Sequence, residues 1–287
     1  MNKLGYLGPT GTFTEIAAKK YQQEVREYVP YSDIKSLLEA VLEEDIDQAI
    51  VPVENSLEGA VTLTLDLLVE LDLKINNEII IAIEHSLLAK EQVKLEQIKH
   101  VISHRQALAQ CRKFLEENLV DYQIHIANST AEAVKKLKNL NGCWAAIGNQ
   151  QAANYYDLQI LANQIQDNQE NWTRFIVLDT NGNTKSNQDK TSIVCSPQKK
   201  DHPGALYDIL HEFAIRGINL TRIESRPARK LLGDYIFFID FEGHYQEPEI
   251  KEALEILAVK TSWCTLLGSY PRSTVIDEYS DQLGVEE

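Results

Sequence analysis

The sequence predicts an α/β protein in two parts, an alternating strand-and-helix region over residues 1–180 and a β-α-β-β-α-β segment over residues 191–271. Three observations predict it. In the first part, short apolar runs of strand length alternate with helix-period stretches, the pattern of a sheet covered by helices. Residues 179–190 read DTNGNTKSNQDK, with no apolar side chain larger than the threonine methyl, so the stretch has nothing to bury and reads as a linker. Beyond it the order of elements changes.

In the first part NKLGYLG, QAIVPVE, EIIIAIEHSLLA, KHVIS, YQIHIA, CWAAIG and RFIVLD read as strands, rich in residues that suit a pleated surface. Between them the pattern predicts helices near 12–24, 34–44, 62–71, 103–117, 129–138 and 149–156. After the linker it predicts a strand over 191–196, a helix over 203–216, strands over 218–225 and 234–241, a helix over 249–260 and a strand over 262–269. That is the split ferredoxin-like order. The helix from Pro203 is well signed: proline presets its first turn, Leu206, Ile209, Leu210 and Phe213 form one face, and Arg216 and Gly217 close it. The acidic tail over 272–287 is expected to be mobile.

A chain of 287 residues, 44% hydrophobic and 25% charged, is long and apolar enough for two domains with buried cores. No apolar run reaches the roughly 18 to 20 residues that span a bilayer. The opening MNKLGYLGPT lacks the sustained apolar stretch of a secretory signal. Cys111, Cys143, Cys195 and Cys264 lie far apart with no C-x-x-C pair, which suits reduced thiols in a cytoplasmic protein and neither a disulfide framework nor a zinc site. The formal charge of −15 disfavours nucleic acid and anionic membranes as partners. A small anionic substrate is still admitted, because a local cluster of donors acts within a Debye length of roughly 8 Å. No metal and no cofactor is expected.

Four stretches could carry chemistry. Gly8-Pro9-Thr10-Gly11-Thr12 runs from a strand into a helix, and Thr12 and Glu15 have capping-box spacing, which leaves backbone N–H groups for a carboxylate or phosphate. An ordinary strand-to-helix turn accounts for the loop equally well, and it has neither a Walker lysine nor a dinucleotide fingerprint. Pro52-Val53-Glu54-Asn55-Ser56 ends an apolar strand, where open α/β sheets bind ligands. Asn55 there offers donor and acceptor to hydroxyl and carboxylate groups, or serves as a turn residue or helix cap. In residues 103–111, Ser103 is placed at a helix start, and Gln106 and Gln110 share a polar face that could equally be solvated. Ala107, Leu108, Cys111 and Leu115 form the buried stripe of that helix, and His104 is a possible acid or base. Finally, Thr173 and Arg174 stand where the polar loop 167–171 enters the apolar strand 175–178. The threonine can hold a hydroxyl; the arginine can grip a carboxylate bidentately or sit in a surface ion pair.

Together and in order, these stretches resemble the prephenate dehydratase family. The strings are LGPTGTFTEIAA (7–18), PVENSLEG (52–59), S-H-x-Q-A-L-A-Q-C (103–111), NSTAEAV (128–134), AAIGN (145–149) and D-x-x-x-N-x-T-R-F (167–175), the last specific to that family. Gly204-Ala205-Leu206, Gly217-Ile218-Asn219-Leu220 and Ile223-Glu224-Ser225-Arg226-Pro227 resemble the phenylalanine-sensing ACT domain fused to such enzymes. The resemblance implies a catalytic domain over 1–180, its substrate cleft lying between one α/β lobe at 1–80 with 160–180 and another at 81–159. A linker over 181–190 and an ACT domain over 191–271 follow.

The resemblance also implies a reaction of L-phenylalanine biosynthesis: prephenate loses its ring hydroxyl as water and its ring carboxylate as carbon dioxide, giving phenylpyruvate. By the match Thr173 serves the departing oxygen, orienting and polarising it, since a neutral threonine is a poor acid. Arg174 is the candidate for a substrate carboxylate, and Asn55, Ser103, Gln110, Thr12 and Phe175 carry over as substrate-binding residues. Where the family usually has proline this chain has Arg105, which implies a freer first turn and an added positive charge near a dianion's site.

For the sensor, amide donors at Gly204, Ala205 and Leu206 would take the carboxylate of an amino acid. Asn219, Leu220, Glu224, Ser225, Arg226 and Pro227 are the matched partners, with Glu224 complementing an ammonium; Gly204 as a plain cap and Glu224 as a surface residue are the alternatives. Such domains pair across subunits, which implies a homodimer or homotetramer with L-phenylalanine as allosteric effector. Two rivals stand beside this reading: an arogenate dehydratase, running the same elimination on the transaminated substrate, and a non-enzymatic amino-acid-responsive binding protein with two lobes around a cleft. A prephenate dehydrogenase is disfavoured by the missing dinucleotide fingerprint.

Overall fold

The computed structural model describes residues 3–21, 27–198, 203–228 and 235–273. The end of the first expected helix, residue 234 of an expected strand and the tail from 274 lie outside them. The chain opens with β1 (Lys3–Leu7), α1 (Phe13–Tyr21), β2 (Glu27–Tyr31), α2 (Ile34–Leu42), β3 (Gln48–Asn55), β4 (Gly59–Ala60), α3 (Thr62–Glu70) and β5 (Lys74–Ala82). It continues with β6 (Ser86–Ala89), β7 (His100–His104), α4 (Arg105–Gln110), α5 (Arg112–Asn118), β8 (Gln123–Ala127), α6 (Thr130–Leu137), β9 (Trp144–Gly148), α7 (Gln150–Tyr156), β10 (Gln159–Ala162) and β11 (Trp172–Asp179). Last come β12 (Asp189–Pro197), α8 (Ala205–Ala214), β13 (Leu220–Pro227), β14 (Tyr235–Glu242), α9 (Pro248–Lys260) and β15 (Thr261–Pro271).

These strands form three sheets. The first runs β2-β1-β3-β11-β5, with β4 beside β3; the second runs β10-β6-β9-β7-β8; the third runs β13-β14-β12-β15. In the second sheet β7 is parallel to β8 and β9, and its residues alternate between two apolar layers. Val101 packs with Leu87, Ala145, Ile147 and the Ala107, Leu108, Cys111, Leu115 stripe, while Ile102 packs with Ala146, Val134, Leu137 and Ala153. A strand covered on both faces needs apolar residues at every position, which is why this part reads as unbroken apolar runs. In the third sheet all pairings are antiparallel, with Ile193 opposite Ile239 and Cys195 opposite Cys264. One face carries Ile193, Phe237, Ile239 and Phe241 against Ile209 and Phe213 of α8 and Ile250 and Leu257 of α9. The alternation of fold elements expected from the sequence is present in both parts.

By its internal contacts the chain divides into two compact units: residues 1–39, 50–59 and 80–175, and residues 40–49, 60–79 and 176–287. The second unit joins the third sheet to α3 and the start of β5. Gly268 has φ +156°, and a Cβ there would lie 2.2 Å from the Ile75 carbonyl oxygen, so only glycine lets the two backbones approach this closely. Lys190 Nζ donates to both carboxylate oxygens of Glu78, at 2.8 and 3.0 Å, and Arg226 pairs with Asp66 at 2.8 Å.

Several expectations need correction. The linker is shorter than 179–190: Asp179 ends β11, accepting from Gln48 and Asn76, and Asp189 and Lys190 begin β12, all three buried. Composition misled here because Asp179 and Lys190 are satisfied by partners far away in sequence, while Asp189 accepts from the nearby Ser186. EIIIAIEHSLLA is two strands, β5 and β6, in different sheets, and the polar pair Glu84-His85 marks the break. The helix expected over 103–117 divides at Cys111, whose φ of −114° and ψ of 15° interrupt the helical run. Strands β2, β4 and β10 were not foreseen. Among the described residues no helix is long and apolar enough to cross a membrane.

Candidate active site

Asn55 at the end of β3 faces Asn171 and the first residues of β11. Its Nδ2 aims its two hydrogens at Asn171 Oδ1 (2.8 Å) and Thr173 Oγ1 (2.9 Å), with Trp172 O (3.1 Å) sharing one of them, while its Oδ1 accepts from the backbone N–H groups of Leu57 (3.0 Å) and Glu58 (3.1 Å). Two backbone donors fix which end of the amide is oxygen, and this orientation propagates. Asn171 Oδ1 is spent on Asn55, so its Nδ2 faces Gln110 Oε1 (3.2 Å), and that oxygen also meets His85 Nε2 (3.1 Å). The chain Asn55–Asn171–Gln110 therefore has one polarity. At its end Thr173 Oγ1 accepts, leaving its hydroxyl hydrogen without an acceptor among the described residues, and Gln110 Nε2 is likewise uncommitted. This is a site prepared to donate hydrogen bonds.

The structure thus brings together Asn55, Gln110 and Thr173 from three stretches distant in sequence. It treats the other expected residues differently. Arg174 follows Thr173 in a regular strand, so the two side chains leave opposite faces; Arg174 is 9% exposed and lies 3.7 Å from Glu54. It is neither a surface ion pair nor a neighbour of the Thr173 hydroxyl. Phe175, expected to bind substrate, is 2% exposed and belongs to the core. Ser103 is not at a helix start: it lies in β7, fully buried, donating to Ile147 O at 2.7 Å, and the helix is capped instead by His104, which accepts from Gln106 N–H. Arg105 is exposed and lines a groove of about 380 Å3 with Leu108, Arg112, Tyr122, Ile124 and Ile126.

The first candidate loop is a helix start that supplies its own anion. Thr12 Oγ1 donates to Leu7 O and accepts from Glu15 N–H, and the buried Glu15 carboxylate takes the Gly11 N–H at 2.6 Å. Gly11 has φ +89°, and a Cβ there would come within 3.1 Å of Ala152. Its carbonyl accepts from Asn149 Nδ2 at 2.8 Å, which gives the AAIGN string a structural task. NSTAEAV is also a capped helix start: Ser129 accepts from Glu132 N–H and Glu132 accepts from Asn128 N–H. Burial pushes the Cys111 thiol up to about 12, so it is not a nucleophile at neutral pH. No group of three or more His, Cys, Asp or Glu side chains among the described residues could hold a metal ion.

In the third sheet, Gly204 (φ +97°) precedes α8, and Ala205 and Leu206 form its first turn. Asn219 is exposed, and its carbonyl accepts from Glu242 N–H. Along β13 the side chains alternate. Leu220 packs near the α8–α9 core; Ser225 and Pro227 are exposed; Arg222, Glu224 and Arg226 are half-buried opposite Asp240, Phe238 and Ile236, on the face away from α8 and α9. Glu224 lies 3.9 Å from Arg222, and Arg226 holds Asp66. One chain therefore separates the α8 start from Glu224 and Arg226. Sequence reasoning missed His85 and the linking role of Asn171; the only signals were Asn171 inside the 167–175 string and a histidine interrupting an apolar run.

Residues 4–183 match the family described as prephenate dehydratase, and residues 200–259 match the ACT domain. The prephenate dehydratase of Methanocaldococcus jannaschii is 42% identical over 279 residues, covering 94% of this chain and 99% of that protein. The bifunctional chorismate mutase/prephenate dehydratase of Aquifex aeolicus is 43% identical over 272 residues, covering 94% of this chain and 74% of that protein. The crystal structure of a prephenate dehydratase from Arthrobacter aurescens in complex with L-Phe is similar at a TM-score of 0.86 and 35% identity, covering 98% of each chain. With a donor site built on its own Asn55–Thr173 contact and a β-α-β-β-α-β segment behind it, the chain belongs to the prephenate dehydratase family and carries an ACT domain.

Proposed function

We propose that the oriented chain ending at Thr173 is what drives the decarboxylative dehydration of prephenate to phenylpyruvate. In that reaction the ring C–O bond breaks, a proton joins the departing oxygen to form water, and the electron pair of the ring-to-carboxylate bond enters the ring as carbon dioxide leaves. Aromatisation makes the overall change downhill, so the barrier lies in expelling oxygen from carbon. Thr173 meets the need with a hydroxyl whose lone pair is engaged by Asn55 and whose hydrogen is uncommitted. Such a donor stabilises charge as it develops on the departing oxygen, and its fixed partner spares reorganisation. Gln110 Nε2 offers a second donor from the same chain.

The single observation that carries this reading is the direction of the Asn55 amide. The test is turnover of prephenate and of arogenate by the Thr173→Ala and Thr173→Ser variants, followed by product absorbance. Serine keeps the hydroxyl and most of kcat; alanine loses kcat far more than KM. Unchanged kcat in the alanine variant removes Thr173 from the chemistry, and preferential turnover of arogenate transfers the reading to that substrate.

L-phenylalanine is the proposed effector, supported by its presence in the related Arthrobacter aurescens structure. Because the α8 start and the Glu224–Arg226 stretch leave different faces of the third sheet, a homo-oligomer is the proposed working form, each effector site drawing on two copies. Turnover and sedimentation measured with and without millimolar L-phenylalanine test this, and a monomer that responds to the effector refutes the shared site.

A further inference from the structure

His85 has no part in the reaction as written above, yet its surroundings are built with unusual completeness. It lies between β5 and β6 with a side chain that is 2% exposed. Its backbone N–H donates to Gln166 Oε1 at 2.9 Å and its carbonyl accepts from Ile165 N–H at 2.9 Å. Two residues earlier, Ile83 N–H donates to Asn171 O at 2.7 Å, so this short connection is stitched directly to the start of β11. The ring meets Phe13 edge to face, with centroids 5.7 Å apart.

Among the described residues the one polar contact of the ring is Nε2 to Gln110 Oε1 at 3.1 Å. Since that oxygen already accepts from Asn171 Nδ2, the amide cannot be turned to present nitrogen here without setting donor against donor. The His85 contact is therefore a donation: Nε2 carries the hydrogen and Nδ1 is bare. Among the described residues Nδ1 is buried without a partner. A bare buried nitrogen is unfavourable, and an apolar side chain of similar size would avoid it. Retaining an imidazole at this position needs a reason, and the donor on Nε2 supplies one.

We propose that His85 is a positioning residue of the dehydratase site: as the neutral Nε2–H tautomer it pins the Gln110 carbonyl, so that the Gln110 amide nitrogen is presented to the reacting substrate. Burial of the ring, which disfavours the imidazolium, keeps the tautomer neutral. This rests on the reading of Thr173 and its chain as the reacting centre. The two fail separately, because the tautomer is measured without turnover and the Thr173 variants do not touch His85.

The experiment compares His85→Leu, His85→Gln and His85→Asn in the full chain with prephenate as substrate, each checked for folding by its melting curve. Losing one donor to a positioned amide lowers kcat about tenfold in His85→Leu with little change in KM. His85→Gln, whose amide nitrogen reaches the place of Nε2, recovers most of it, and the shorter His85→Asn does not. In a Gln110→Ala background, His85→Leu causes no further loss, because the group it positions is gone. Nitrogen NMR of wild-type protein near neutral pH shows hydrogen on Nε2 and a bare Nδ1. Hydrogen on Nδ1, an imidazolium, independent multiplicative losses in the double variant, or glutamine no better than leucine would each overturn the proposal, and the NMR result stands even where a variant does not fold.

Discussion

Replacing Asn55 by aspartate tests the polarity of the site while almost preserving its shape. The Oδ1 atom keeps its two backbone donors, Leu57 and Glu58. The other end changes from a donor to an acceptor, and that acceptor then faces Asn171 Oδ1 at 2.8 Å and Trp172 O at 3.1 Å, oxygen against oxygen. Thr173 Oγ1, at 2.9 Å, can respond only by turning its hydrogen inward, which withdraws the hydrogen bond proposed for the departing oxygen. Each buried acceptor left facing a carboxylate costs about 1–3 kcal/mol of stability. Loss of one aligned donor lowers kcat about 100- to 1000-fold. Truncation in Asn55→Ala removes the chain without inverting it and leaves Thr173 free to rotate, so the isosteric aspartate is the worse enzyme. Steady-state formation of phenylpyruvate by both variants, with melting curves as the folding control, gives the order. As pH falls and the introduced carboxylate takes up a proton it regains one donor, so the Asn55→Asp variant recovers partly toward acid. If Asn55→Asp keeps kcat within about threefold of wild type, or exceeds Asn55→Ala at neutral pH, the directional argument is wrong.

Other outcomes follow from groups away from Thr173. Lys190→Met takes the ammonium from the buried Glu78 carboxylate, which keeps the Ser273 N–H at 3.0 Å; this costs about 3–5 kcal/mol, and a calorimetric melt shows whether Glu78→Leu added to it recovers part of the loss. Asp66→Asn weakens the hold of α3 on Arg226 in the effector-matched stretch; turnover without effector stays near wild type while the half-effective L-phenylalanine concentration shifts several-fold, and an unshifted response removes Asp66 from the coupling. His85 has a folded pKa below its ordinary 6.5, because burial disfavours the charged ring. Below 6.5 the unfolded chain therefore binds more protons than the folded one, so the stability present above that pH is lost as pH falls through the folded value. Melting temperatures from neutral to acidic pH fall less steeply in His85→Gln than in wild type; parallel curves refute the assignment of that loss to His85.

What the sequence displayed was whatever a segment could announce from its own residues. Helix α8 carries its apolar face and its closing glycine close together and forms within the expected 203–216, though it starts at Ala205 behind Gly204, so that Pro203 precedes it instead of presetting its first turn. The middle of β7 and of β9 in the second sheet is apolar on successive residues because both faces there are covered. Legibility stopped where a polar side chain meets a partner from far along the chain. Lys190 looked like linker because its partner Glu78 is 112 residues away, and Arg174 looked like a neighbour of Thr173 because adjacency in sequence hides opposite faces of a strand. Ser103 looked like a cap, whereas His104 does the capping and Ser103 is spent on a neighbouring strand.

Asn55 is the instructive case: of the two readings open for it from sequence, the turn residue is present, and the same side chain also reaches Asn171 and Thr173, the contact on which its proposed part in the reaction rests. The oxygen closes the turn through Leu57 and Glu58; the nitrogen, held in place by that closure, reads Asn171 and Thr173 116 to 118 residues onward. Aspartate could close the same turn but would present the wrong charge to Thr173, and glutamine could donate but would miss the turn by a methylene. Only an amide of this length serves both ends. The structural task thus orients the proposed chemical one: two backbone N–H groups fix the amide, and the amide in turn leaves the Thr173 hydroxyl hydrogen uncommitted for the reaction proposed above.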